Sequence, residues 1–332
     1  MRYDMTLPWW SFAAMGAGLV AFIVMVIVSI RRNNGVKRSL FATPYTLWMI
    51  VFTVIPVILI GYYAFTDQSG AFTLDNFRHF WDSNYAKNQL YATLGPDAAA
   101  YIVRGTVNVD TLVYSLWMAF LCTVISLVLG YPAALFMADR NMKLGSSLVV
   151  LFIIPMWMNF LLRTIAWMSL LEDQGLINTF LRSIGLDGVQ LMYNPGAVLL
   201  GMVYNYLPFM VFPIYSVLSK QDPKLGEAAQ DLGCNELRTF TRVTLPLSLP
   251  GVISGITMVF MPSVTTFFIP RLLGGGNSMM FGDLIEAKFL TEGGANSWNV
   301  GSALSLIMMV LILISLSILR KADPNGEGGG ML

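Results

Sequence analysis

Long, uninterrupted apolar runs recur along this chain and constrain its fold more than any other feature. A helix needs about 20 apolar residues to cross the ~30 Å hydrocarbon core of a bilayer. Runs of that kind stand near residues 9–30, 41–64, 112–138, 147–171, 195–218, 249–270 and 300–319. They are continuously apolar, as spanning helices require, and lack the alternation of a membrane barrel. With 56% hydrophobic and only 12% charged residues, the chain does not read as a soluble domain. The expected fold is all-α: a polytopic transmembrane helical bundle.

Charge sets the expected orientation, because segments on the cytoplasmic side collect Lys and Arg. Threading the spans with the loop around Glu227 inside places 12 of the 20 basic residues inside and 7 outside, with Arg163 inside a span. Acids run the other way, with 12 of 19 outside. The N-terminus is then out and the C-terminus cytoplasmic. The first run carries its positive cluster after the apolar stretch, at Arg31 and Arg32, and shows no small-x-small cleavage site, so it reads as a retained anchor. Cys122 falls in a span and Cys234 in an inner loop, which excludes a disulfide framework. His79, the one histidine, lacks the companions of a metal site.

Between the runs, residues 65–111 mix aromatic and polar types (Phe72, Phe77, Phe80, Trp81, Tyr85, Tyr91) and are expected to form short helices at the membrane surface. Residues 172–194 read as a short re-entrant or interfacial helix, and 324–332 as a disordered tail. No phosphate-binding loop, metal-ligand cluster or nucleophilic triad occurs in the sequence, and nothing points to nucleic acid. ATP hydrolysis by this chain is not expected, nor is any bound cofactor.

The polar segment from Ser219 to Pro250 is the richest in signals. Asp222 suits an N-cap and Pro223 a first helical position. Leu225, Ala228, Ala229 and Leu232 follow at helical spacing and make one apolar stripe. Gly233 stands where a left-handed residue closes a helix. Asn235 then caps a second helix through Leu237 and Phe240 towards Leu245, and Pro246 is expected to stop it. Such a stripe fits either a helix lying on the membrane surface or one seated in a protein groove. Its small Leu and Ala side chains, with no aromatic anchors, lean towards the groove.

Glu227-Ala-Ala, Gly233, Val243, Leu245 and Pro246 together resemble the EAA motif of permease subunits in binding-protein-dependent ABC importers, with Val243 where Ile is usual. Further phrases are similar to spermidine/putrescine permeases: Gly130-Tyr-Pro-Ala-Ala-Leu-Phe-Met-Ala, the stretch from Pro155 to Trp167, Leu207-Pro-Phe-Met-Val-Phe-Pro-Ile-Tyr and Ile269-Pro-Arg-Leu-Leu-Gly-Gly. The likeness is to the first permease of the heterodimeric pair and covers roughly residues 40–320. It implies the type I importer fold, with six core helices and one extra N-terminal helix, in an inner membrane. Residues 1–39 would be that extra helix and a basic linker, 40–321 the permease domain with its coupling loop at 219–247, and 322–332 the tail. It also implies partners: a cytoplasmic ATPase dimer that binds ATP and Mg, a second permease and a periplasmic solute-binding protein. Leu225, Glu227, Ala228, Ala229, Leu232, Gly233, Leu245 and Pro246 would be the coupling residues.

The solute is less legible. No Asp or Glu sits in any run, so a cation would cross on aromatic faces and carbonyls. Trp157, Trp167, Tyr204, Tyr206 and Phe267 are the candidates, with Asp283 and Glu286 as acids near the outer mouth. Arg163 is the intramembrane charge, and if it lines the pathway an anionic or zwitterionic solute gains ground. A secondary carrier is the remaining alternative, but it would use several intramembrane ionisable groups for ion coupling.

Overall fold

The computed structural model describes residues 43–81, 108–139, 145–275, 278–290 and 295–322. The expected span near 9–30, the linker after it and the tail lie outside the described residues. Contacts divide the chain into two units, Met1–Tyr62 and Tyr63–Leu332. The described part of the first is helical: α1 (Thr43–Met49), a π-helical turn (Ile50–Val54) and most of α2 (Ile55–Ala64).

The second unit continues with α3 (Asp75–Trp81), α4 (Asn108–Ala138), α5 (Gly145–Trp157), α6 (Phe160–Leu171), α7 (Leu176–Ser183) and α8 (Pro195–Leu218). Then come α9 (Lys224–Asp231), α10 (Glu236–Thr239), α11 (Leu245–Thr265), α12 (Phe268–Leu273), α13 (Phe281–Leu290) and α14 (Ala295–Ala322). Among the described residues no strand occurs beyond one isolated bridge between Thr66 and Phe72. Among the described residues, four helical stretches, Val109–Ala138, Pro195–Leu218, Glu236–Thr265 and Trp298–Leu319, are long and apolar enough to cross a membrane. The all-α polytopic expectation is met.

Helix α8 lies at the centre, packed on α4 and α11. Met202, Met210, Val211 and Ile214 of α8 are fully buried. Lipid tails are as apolar as leucine, so helices associate in a bilayer through close packing rather than through the hydrophobic effect. Glycines supply that closeness. A Cβ on Gly251 of α11 would stand 2.8 Å from the Pro213 carbonyl oxygen, and one on Gly255 would stand 2.8 Å from the Met210 sulfur. On the other flank, a Cβ on Gly130 of α4 would meet Met210 Cγ at 3.1 Å. Side chains reach backbone carbonyls in α11: the Ser254 hydroxyl donates to the Pro250 carbonyl (2.9 Å), and Tyr206 Oη of α8 donates to the Pro262 carbonyl (3.4 Å), one of the last-turn carbonyls that a helix end leaves unpaired.

Two expected spans are corrected. The run 147–171 is not one helix: α5 and the segment from α6 onward are bent by 98° at Met158–Asn159. Asn159 leaves the helical region (ψ 133) and its side chain accepts from Leu161 N (2.8 Å), capping α6. Likewise 249–270 is not continuous. α11 ends at Thr265, Thr266 is extended (ψ 141), and the chain restarts as α12. Pro270 explains the break, since inside a continuing helix it would remove one hydrogen bond and clash with the preceding turn. In the first turn of α12 it does neither.

Two buried asparagines tie the end of α2 and the loop after it to α3 and α14. Asn76 Nδ2 donates to the carbonyls of Ala64 (3.0 Å) and Thr66 (2.9 Å), and Asn299 Nδ2 donates to the same Thr66 carbonyl.

Candidate functional site

The segment between α8 and α11 is an elbow of two short helices, and local chemistry explains each turn of it. The Lys224 amide donates to Asp222 Oδ1 (3.1 Å), and α9 starts one residue later than the sequence suggests, with Pro223 just before it. At the far end Gly233 takes φ +88. Its amide donates to the Gln230 carbonyl (2.8 Å) and that of Cys234 to the Ala229 carbonyl (3.0 Å). This pair of bonds is a Schellman closure, and glycine adopts its left-handed backbone without a Cβ penalty. Asn235 caps α10 by accepting from Arg238 N (2.9 Å).

Pro246 does not end the second helix, contrary to expectation. A π-helical turn over Phe240–Thr244 carries α10 into α11, with the Leu245 amide donating to the Phe240 carbonyl. The wider turn absorbs the proline, whose missing N–H falls in the first turn of α11. Leu245 is half-buried and Pro246 exposed. The second helix of the elbow is thereby continuous with a membrane-spanning helix.

A brace from α4 holds this junction. The Tyr131 and Ser248 hydroxyls share a hydrogen bond of 2.8 Å, and the Tyr131 ring meets Phe240 edge-on at 5.8 Å. Sequence reasoning missed Tyr131; the Gly130-Tyr131-Pro132 phrase was the available signal.

The predicted stripe on α9 lies uncovered. Leu225, Ala228 and Leu232 are exposed, Leu232 to 87%, and Ala229 is half-buried. Glu227 is exposed too and lines an open cleft of about 960 Å³ between the elbow and the ends of α4 and α8.

The other candidates are dispersed. Trp157, at the end of α5, is 88% exposed. Trp167 and Tyr204 meet edge-on at 5.2 Å. Tyr206 is buried and bonded to α11, and Phe267 packs on Phe268 at 4.3 Å. Arg163 is 9% exposed and its Nε has no partner among the described residues. Asp283 and Glu286 do come together, with a partner the sequence reading did not assign. Arg271 Nη1 donates to both Glu286 carboxylate oxygens at 2.7 Å. Burial pushes the neighbouring Asp283 carboxyl above its ordinary value; Arg271 opposes that shift and Glu286 adds to it.

A bundle of membrane-spanning helices with a braced elbow between two of them defines an integral membrane protein. Residues 130–325 match the family described as binding-protein-dependent transport system inner membrane component, and the chain belongs to that family. It is 33% identical over 284 residues to the spermidine/putrescine transport system permease protein PotB of Escherichia coli (strain K12), covering 83% of this chain and 94% of the relative. The PotB protein of Haemophilus influenzae is 32% identical over 299 residues, with 88% and 95% covered. The inner membrane ABC transporter permease protein YdcU of E. coli is 26% identical over 258 residues, with 73% and 81% covered. A crystal structure of a bacterial ABC transporter that imports the acidic polysaccharide alginate shares the fold. Its TM-score is 0.64 at 16% identity, covering 90% of this chain and 99% of that one.

Proposed function

We propose that this chain is one of two permease subunits of an ATP-driven, binding-protein-dependent importer, and that the imported solute is a polyamine of the spermidine and putrescine type. The observation that carries the solute class is identity of 32–33% to PotB proteins over more than four-fifths of the chain. The elbow supports the coupling role: α9 presents Leu225, Ala228 and Leu232 bare, and α10 runs through the π turn into α11. In this reading an ATPase subunit receives α9 in a groove, and closure of the ATPase dimer around ATP and Mg moves α11 through the π turn. The work of hydrolysis stays on those partners, and this chain supplies half of the pathway. A periplasmic binding protein delivers solute at the opposite face, where α12 and α13 lie. The N-terminus is outside and the elbow cytoplasmic, as the distribution of Lys and Arg favours.

The test is uptake of radiolabelled spermidine and putrescine by cells lacking their own importers, with and without this chain and its three partner subunits. ATP-dependent uptake that needs this chain is the expected result. An assembled, ATP-hydrolysing complex that takes up neither amine would keep the importer and remove the solute.

A further inference from the structure

Arg163 carries a charge with no counter-charge. It lies in the first turn of α6, inside the apolar run 147–171, and is nine-tenths buried. Its guanidinium forms no hydrogen bond, ion pair or ring contact with any described residue. Nε is enclosed, while the two Nη nitrogens keep some open surface, so the donor fork faces an opening.

Such a group needs an anion. Arginine, unlike lysine, does not escape burial by losing its proton. An unpaired charge inside a protein or a bilayer is costly. The helix adds to the requirement, because Arg163 stands near the positive end of α6, where the dipole also favours negative charge. This chain offers no partner among the described residues. No Asp or Glu occurs in any of the seven apolar runs. Asp283 and Glu286 face Arg271 instead.

The surroundings indicate where the anion comes from. α6 turns Phe160, Thr164, Trp167 and Leu171 towards the bundle, and Arg163 stands at the margin of that stripe, beside exposed Ala166. Leu161 and Leu162 are exposed as well, and so is Trp157 where the chain bends by 98°. This uncovered surface is apolar with one cation at its edge. A lipid headgroup site gathers several Lys or Arg, whereas Arg163 is the only basic residue between Lys143 and Arg182. A single carboxylate on a closely packed helix matches it, and the small side chain of Ala166 permits that approach.

We propose that Arg163 pairs with a carboxylate carried by a spanning segment of the second permease subunit, and that this ion pair sets the register of the two subunits. It rests on the importer reading for the existence of that subunit. The planar fork binds both carboxylate oxygens, and neither charge is then left alone in hydrocarbon.

The complex of this chain with its second permease and ATPase subunits carries the test. Benzoylphenylalanine placed at exposed Leu162 and photolysed in nanodiscs should join this chain to the second permease. Adducts with lipid alone overturn the proposal, and this arm keeps Arg163 intact, so it reads even where an Arg163 variant fails to fold. Arg163→Gln keeps donors but drops the charge. In detergent micelles it should speed exchange of the second permease by at least about thirtyfold, as loss of one member of a buried charge pair does. Arg163→Lys should recover part of that loss. Exchange as slow in Arg163→Gln as in the parent would mean that hydrogen bonding suffices, and the ion pair would be overturned. Arg163→Glu should block assembly, and changing one intramembrane Asp or Glu of the second permease to Arg should restore it; failure of every such reversal also overturns the proposal. A chain that co-purifies with no second permease removes the importer reading and the ion pair together. A stable, ATP-hydrolysing complex indifferent to Arg163 removes the ion pair alone.

Discussion

Tyr131 and Ser248, 117 residues apart in sequence, are joined by a 2.8 Å hydrogen bond between their hydroxyls. The contact pins the end of α4 to the point where the elbow becomes a membrane-spanning helix. Ser248 also donates to the Leu245 carbonyl at 2.9 Å, so one side chain serves both the brace and the start of α11. Tyr131→Phe keeps the ring against Phe240 and removes the shared bond, which should cost about 0.5–1.5 kcal/mol. Tyr131→Ala removes the ring contact as well and should cost more. A double-mutant cycle of Tyr131→Phe with Ser248→Ala, read by thermal unfolding, should be non-additive because the residues touch. Additive losses would mean that the brace carries no coupling energy.

Glu227→Lys should abolish uptake while the protein still accumulates in the membrane. Glu227 is exposed, and substitutions at such positions usually change stability by less than about 0.5 kcal/mol. A reversed charge beside the bare stripe would act on the partner instead. Co-purification of the ATPase subunit reads this directly. Retained uptake would remove α9 from the coupling role.

The elbow was legible in the sequence because its signals are local. Gly233 and Asn235 close and open helices through bonds within five residues of themselves, and the structure places both as expected. Pro246 and Asn159 misled for the opposite reason. Whether a proline ends a helix depends on the turn before it, and the π turn at Phe240–Thr244 has no composition of its own. Asn159 had the right residue type for a cap, with Pro155 upstream, but an apolar run on both sides hid it. Long-range relations were not legible. Nothing local pairs Tyr131 with Ser248, or Arg271 with Glu286.

Glycine substitutions should separate packing from backbone effects. At Gly251 a Cβ would stand 2.8 Å from the Pro213 carbonyl oxygen and 3.1 Å from Ile214 Cα, both backbone atoms. Gly251→Ala must therefore push α8 and α11 apart, at about 1–3 kcal/mol. At Gly233 nothing lies within 4 Å, but φ is +88. There Gly233→Ala costs about 1–2 kcal/mol of left-handed backbone alone. The first should lower the unfolding temperature of the bundle; the second should mainly reduce coupled ATPase activity. Equal effects of both on unfolding would refute the distinction.

Asp283 gives the chain a dependence on pH whose sign follows from its surroundings. Burial is the largest influence and raises its folded-state pKa above the ordinary 3.8; the Arg271 charge opposes it and Glu286 adds to it. An acid raised on folding favours the folded state when protonated. Its unfavourable contribution is therefore absent below the ordinary carboxylate pKa, grows as pH climbs towards the raised value, and is complete above it. Asp283→Asn should remove that contribution, so its stability should gain on the parent as pH rises from about 3.5 to neutrality. Arg271→Ala should do the reverse. Losing the guanidinium removes the charge that opposes the rise of Asp283 and leaves the like charge of Glu286 beside it, which raises the Asp283 carboxyl further and deepens the loss at neutral pH. Combining Arg271→Ala with Asp283→Asn should recover part of that loss, because one of the two like charges is gone. Unfolding midpoints of the three variants between pH 3.5 and 7 give the comparison. A parallel pH profile for Asp283→Asn and the parent would show that the carboxyl titrates no differently folded than unfolded.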